Sequence, residues 1–388
     1  MSELKVNSIK GVNANTAAIS IDNSSGTCTA NLTNRTNKNL ILNGAFLINQ
    51  RGTSSTSSGY YTVDRFKVIY ADTDEAPTQA QVDVASGTTP YTLGFRKAYK
   101  ITNGNQTGGA GAGDYIRYST VLEGQDINGS GWNFKSSSSF ITLSFWIKSS
   151  VAQAFSGSIR ALDGTPYFYK YDTPTLSADT WTKVTKTISG NSNLTFDNDN
   201  GAGFMFSLYG FIGTTFTSAN SDTETWVANT GNDKFANDMT STWYTTNDAT
   251  LEITGIQLEV GDHATDFEHR SFAQELFLCE RYYQRLNHIS GQTAFAGGLA
   301  GLYNGATDIV IIHHYRVAKR AAPTFEYSAL SDLDFEPHDN SVSGLALEMA
   351  DTDVIVLRTT STTSETKGHV CYLCIDQANG FMAFNAEL

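Results

Sequence analysis

Between residues 39 and 270 apolar and polar positions alternate with a period of two in one short stretch after another. The stretches are NLILNGAF, RFKVIYA, AYKITN, DYIRYSTVL, SFITLSFWIKS, PYFYKYD, WTKVTKTIS, GFMFSLYGFIG and LEITGIQLEV. Turn-rich segments such as NGNQTGGAGAG and FDNDNGAG separate them, as expected where strands are joined by tight connections. In ITLSFWIK, Ile141, Leu143, Phe145 and Ile147 share one face, and Thr142, Ser144, Trp146 and Lys148 share the other. That pattern predicts a mid-sheet strand with its apolar side inward. Nine such stretches with no helical pattern between them predict an antiparallel jelly-roll β-sandwich over residues 39–270.

The period changes at one place. In SFAQELFLCERYYQR, Ser271 stands as an N-cap with Gln274 three positions on, and Phe272, Leu276, Cys279 and Tyr283 follow at helical spacing. This predicts a short linking α-helix over 271–287, whose narrow apolar stripe suits packing on a sheet or around a threefold axis. Strand patterns then resume in TDIVIIHHYRVAK, PTFEYSAL, GLALEMA, TDVIVLRTT, HVCYLCID and GFMAFNAEL, enough for a smaller C-terminal β-domain over 288–388. Residues 1–38 hold only thin strand patterns, LKVNSI and TAAISIDNSSG. Strands so short bury no core alone, so this extended segment is expected to trimerise, to attach to another protein, or to remain disordered.

Composition narrows the class of function. Of 388 residues only 17% are charged, 12% are aromatic, and the formal net charge is −13. A surface that acidic opposes nucleic acid and anionic bilayers, because each phosphate contact needs a Lys or Arg. No run reaches the roughly 18 apolar residues of a membrane helix, and MSELKVNSIKGV has no apolar signal region. The four cysteines, Cys28, Cys279, Cys371 and Cys374, are too dispersed for a disulfide framework and fit synthesis in a reducing cytosol. Cys371 and Cys374 lie three apart on a strand, hence on opposite faces, and are expected as buried thiols rather than metal ligands.

Several strings, in order, carry a resemblance. NLILNGAFLINQRGTSS, YTVDRF, ITLSFWIKSS, DNDNGAGF, ITGIQLEVGDHATDFEHRSFAQELFLCERYYQR, RVAKRAAPTF and a terminal FNAEL resemble the landmarks of a family of phage tail-fibre and appendage proteins frequent in marine phages. The string running from QLEV to RYY is the most specific. The resemblance implies a virion structural protein with a carbohydrate-module-like jelly roll, a homotrimer, attached to other virion proteins by its N-terminal segment and displayed on the particle after synthesis in the host cytoplasm. Sugar modules of this kind often carry Glu or Asp after the Gly of NGAF; this chain has Ala45.

Candidate chemistry is sparse. His313 and His314 are adjacent on a strand and so point apart, unlike two ligands of one metal. Glu123 with Asp126, or Asp332, Asp334 and Glu336, are the acidic groupings open to glycoside hydrolysis, which needs two carboxyls roughly 5 to 9 Å apart. The repeated rungs of a depolymerase β-helix are not visible. Tyr167, Tyr169 and Tyr171 share a strand face with a repeat of about 6.8 Å, which suits either a glycan platform or core and interface packing. Trp146, on the polar face of its strand, is a further stacking candidate, or is capped by a loop. Asp197 and Asp199 on a Gly-rich turn are hard oxygen ligands for calcium, or a solvated turn.

The reading is therefore a protein that is not an enzyme, with no cofactor unless calcium, adhering to a host-surface glycan or protein by avidity. A capsid-decoration or tail-assembly part, and a glycan depolymerase, are the alternatives.

Overall fold

The computed structural model describes residues 6–10, 19–21, 24, 28–30, 37–218, 222–229, 234–288, 298–336 and 340–388. The first body is a sandwich of two six-stranded antiparallel sheets. Sheet one runs Trp226–Ala228, Tyr167–Asp172, Ser156–Ala161, Ala202–Ile212, Tyr115–Glu123, Lys67–Ala71. Sheet two runs Thr182–Ser189, Phe140–Ser149, Thr250–Val260, Lys97–Thr102, Thr78–Asp83, Ser54–Ser55. Ile141, Leu143, Phe145 and Ile147 are fully buried between the sheets, on a strand flanked on both sides, as the alternation predicts. Phe145 meets Phe206 of the facing sheet edge-on at 6.0 Å between ring centroids.

Two expectations for this body are corrected. NLILNGAF is a pair of turns and no strand. Asn43 and Phe46 take positive φ, and the Asn43 side chain ties itself to the backbone of Ile48 and to the Asp64 carbonyl, a local bonding pattern that competes with a ladder. The strands Thr78–Asp83 and Ser156–Ala161 were not among the sequence stretches. Their sequences, TQAQVD and SGSIRA, are polar enough to read as loops.

The helix is shorter than 271–287. It spans Phe272–Glu280, with the Ser271 side chain accepting from the Gln274 N–H as an N-cap. Tyr283 lies beyond it, in the strand Tyr283–Asn287. The stripe of Phe272, Leu276, Cys279 and Tyr283 is therefore not one helical face. Phe272 and Phe277 stand 60% and 58% exposed, while the helix buries Glu275, Cys279 and Glu280. The helix is held by its charges: Glu275 accepts from the Asn43 N–H and pairs with Arg270 at 3.5 Å.

The second body contains a closed barrel of six strands, ordered Leu299–Tyr303, Asp308–His314, Val354–Ser361, Asn340–Ala350, Leu333–Glu336 and Val370–Ile375. Beside it a three-stranded sheet sets Phe381–Asn385 between Tyr283–Asn287 and Thr324–Tyr327. Cys371 and Cys374 are both buried. His313 stacks on Phe384 at 5.3 Å and its imidazole is pushed down to about 4 by burial, whereas His314 is exposed. In the N-terminal segment Ser8–Ile9, Ile19–Ile21 and Cys28–Ala30 form a small antiparallel sheet whose Ile9 is exposed. Apart from residues 6, 7, 10 and 24, the rest of residues 1–36 lies outside the described residues.

The two bodies meet through a buried polar junction. Glu387 pairs with Arg65 and lies 3.4 Å from Arg51, and Arg51 lies 3.8 Å from Asp64. Arg65 also stands 3.3 Å over the Tyr282 ring, and Arg51 3.5 Å over that of Tyr283. Arg281 forks onto Glu123 at 2.8 and 2.7 Å, and Tyr282 donates to the same carboxylate at 2.6 Å. Burial alone would raise the Glu123 carboxyl, but these hydrogen bonds outweigh it and hold the group below its ordinary value. Arg320 donates to the carbonyls of Ala386 and Asn200, and Lys319 to Glu280 and Gln284.

Candidate functional site

On the outer face of sheet two a small apolar cluster forms away from the main core. Ala45, Val84, Phe95 and Ala98 are buried in it, and Leu47, Val82, Tyr91, Trp146, Trp181 and Phe267 pack around them. Trp146 is half-buried rather than capped outright. It borders a groove of about 280 Å³ whose other walls include Phe95, Phe267, His269, Lys183 and Asp266. Phe95, Phe267 and His269 form a mutual triangle, with centroids 4.9 to 5.1 Å apart.

The chain builds this groove by specific devices. The strand Thr250–Val260 slips register between Thr254 and Gln257, and Gly255 within the slip has φ +65°. A Cβ on Gly255 would sit 2.5 Å from the Phe95 ring, so the ring lies on the sheet only because this residue is glycine. The loop that follows alternates in its loyalties. Glu268 accepts from the backbone N–H groups of Asn37 and Asn39, and Arg270 donates to the Asn39 carbonyl. Phe267 and His269 face the groove instead, and His269 is fixed by the Leu93 carbonyl at 2.9 Å. Aromatic walls with a few polar groups and an open mouth can stack the apolar face of a flat, hydroxyl-rich ring while bonding its rim. Of the four glycan candidates only Trp146 reaches this site. Phe95, Phe267 and His269 were missed; the one signal for them is the two-residue spacing of Phe267 and His269 in DFEHR.

The tyrosine row does not form an exposed platform. Its shared face is the inner one: Tyr171 and Tyr169 are 0% and 5% exposed, and Tyr167 packs against the core. The Tyr171 ring occupies the space a side chain on Gly157 would need, and its hydroxyl donates to the Ser207 carbonyl. Asp197 and Asp199 lie exposed on their turn, near Asp163, whose carboxyl is raised first by burial and then by those two charges. The Asp197 N–H donates to the Asp163 carboxylate, and the Asp199 carboxylate accepts from the Gly201 N–H. Among the described residues no group of three or more His, Cys, Asp or Glu is placed to hold a metal. The Glu123 carboxylate is engaged by Arg281 and Tyr282, and Asp126 beside it is raised by burial and by Glu123. Asp334 and Glu336 lie on alternate, partly exposed positions of a barrel strand.

No family model and no curated protein matches the chain. Among solved structures, the enzymatically active domain of bacteriophage CBA120 tailspike protein 4 aligns over 57% of this chain and 21% of its own, at 10% identity and TM-score 0.31. The CBM22-1–GH10 modules of Clostridium thermocellum xylanase 10B, complexed with xylohexaose, align over 58% and 31%, at 9% identity and TM-score 0.27. The family 11 carbohydrate-binding module from Clostridium thermocellum aligns over 56% and 98%, at 10% identity and TM-score 0.25. Similarities this low carry no functional argument; the class that fold and groove define is a mainly-β, two-body protein with an aromatic-walled surface site.

Proposed function

We propose that the chain is a noncatalytic phage virion protein, part of a tail fibre or related appendage, that adheres to a host-surface glycan through the groove beside Trp146. The observation that carries this reading is the gathering of half-buried Trp146 and Phe267 and exposed His269 over buried Phe95, outside the main core and around one open groove, aromatic walls with a few polar groups being the usual lining of a ligand site. Assembly as a homotrimer, anchored by residues 1–38, would multiply weak sites into firm adsorption. Labelled protein on an array of bacterial-surface glycans tests it. Saturable binding that Trp146→Ala weakens by about tenfold or more, with unchanged circular dichroism and three copies by light scattering, is the expected result.

A second reading, a capsid-decoration or tail-assembly part, is favoured by one further feature. Val370, Leu302 and Ile312 stand exposed on three consecutive barrel strands, a face suited to another protein. Binding to purified virion proteins with no glycan bound would favour it. Release of reducing ends from a bound polysaccharide would overturn both in favour of a depolymerase.

A further inference from the structure

The outer face of sheet one has a different character. Strand register sets Arg117 beside Tyr209 and Arg160 beside Met205, so both arginines emerge on the same side. With Tyr115, Tyr209, Phe216 and Phe235 they enclose a cavity of about 150 Å³. Phe216 and Phe235 are parallel at 6.4 Å, Tyr115 meets Phe216 edge-on at 5.6 Å, and the Arg160 guanidinium lies 4.6 Å from the centre of Phe235.

Arg117 supplies the charge. Its Nε is buried with no hydrogen-bond partner, its guanidinium lies 5.8 Å from the centre of the Tyr115 ring, and among the described residues no carboxylate pairs with it. The chain has 39 acidic residues against 26 Lys and Arg, so a counter-charge was cheap to supply. Instead Lys67, two strand positions away across the sheet from the Ile69–Arg117 pair and bonded to the Leu388 carbonyl, adds a further cation nearby; its ammonium is lowered by burial first and then by Arg117. A buried guanidinium N–H that has no acceptor among the described residues, in a half-buried, aromatic-walled space, is costly unless something completes it.

We propose that this pocket binds the carboxylate of an acidic sugar, with Arg117 as its anchor and the rings of Phe216, Phe235 and Tyr115 holding the sugar's apolar edge. The planar fork of arginine matches a carboxylate in two parallel hydrogen bonds. The volume admits one such group and excludes a drug-sized ligand. The choice of a sugar rests on the adhesive reading above; the choice of an anion rests on Arg117 alone.

The test titrates the full chain calorimetrically with methyl glucuronoside and, as the neutral control, methyl glucoside. The acid is expected to bind saturably and the neutral sugar roughly 10–100-fold more weakly, the range of a hydrogen bond to a charged group. Arg117→Gln should bring the acid down to the neutral level, and Arg117→Lys should restore part of the difference. Equal binding of the two sugars, no binding of the acid by folded protein, or an unaltered Arg117→Gln variant overturns the proposal. Failure of the adhesive reading looks different: no polymer on the glycan array binds, whatever residue stands at position 117.

Discussion

Replacing Glu387 by Ala removes the anion at the centre of the junction. Its side chain is 4% exposed and stands between those of Arg65 and Arg51, themselves 3% and 7% exposed. Deleting one partner of a buried ion pair costs about 3–5 kcal/mol, mainly because the remaining charge is stranded. Two contacts soften the loss: Arg65 keeps the Val121 carbonyl as acceptor and keeps the Tyr282 ring under its guanidinium. A cost near the lower figure, about 3 kcal/mol, is therefore expected, with Glu387→Gln losing less because it still accepts a hydrogen bond. Trp132, Trp146, Trp181, Trp226 and Trp243 all lie in the sandwich. Urea unfolding followed by their fluorescence, together with amide exchange on Phe381–Asn385, reads both sides of the junction separately. The variant should release the terminal strand to exchange before the sandwich unfolds. A Glu387→Ala protein within about 0.5 kcal/mol of the parent, the scatter of an ordinary surface change, with the strand still protected, would refute the reasoning.

Three further outcomes are expected. Trp146→Ala should weaken glycan adsorption by about tenfold or more, equivalent to about 1.4 kcal/mol, with no change in melting temperature beyond that of a surface substitution; undiminished adsorption removes the groove from the account. Gly255→Ala places a side chain at φ +65° and 2.5 Å from Phe95, so a loss of at least about 1–3 kcal/mol in thermal unfolding is expected, accompanied by weaker adsorption. Lys319 is pushed down to about 7 by burial against the partial opposition of Glu280. The unfolded chain then holds a proton that the folded chain lacks between about pH 7 and the ordinary lysine value, so this residue makes stability rise with pH across that window. Lys319→Met should flatten the rise in urea midpoints measured from pH 7 to 9.

The sandwich was legible because its strands are one-sided: in ITLSFWIK the burial of Ile141, Leu143, Phe145 and Ile147 follows directly from the alternation. The tyrosine row shows the limit of the same rule. Period two says that Tyr167, Tyr169 and Tyr171 share a face, and nothing local says that the shared face is the inner one, because Gly157 on the neighbouring strand makes the room. The helix failed for another reason. Its apolar residues lost to Glu275 and Glu280, whose burial depends on Arg270, Asn43 and Arg316, partners that the helical pattern does not contain.

The strings that carry the family resemblance converge on the junction. Gln50, Arg51, Asp64, Arg65, Arg281, Tyr282, Lys319, Arg320 and Glu387 all come from them. Their chemistry is visible in one dimension, but the pairing of residue 65 with residue 387 is not. The Arg117 pocket left no trace in the sequence, since an arginine on the polar side of a strand reads as solvated until the structure gives it walls.

The three-stranded sheet beside the barrel has a mechanical consequence. Phe381–Asn385 lies antiparallel along Tyr283–Asn287, and the residues after it are clasped by the sandwich through Arg65, Tyr60 and Lys67. A tug on the barrel reaches the sandwich by two routes, the covalent one through residue 281 and the clasped tail. The load on the tail falls on a row of hydrogen bonds and on a charge pair. Such a mount resists torsion as a single tether cannot.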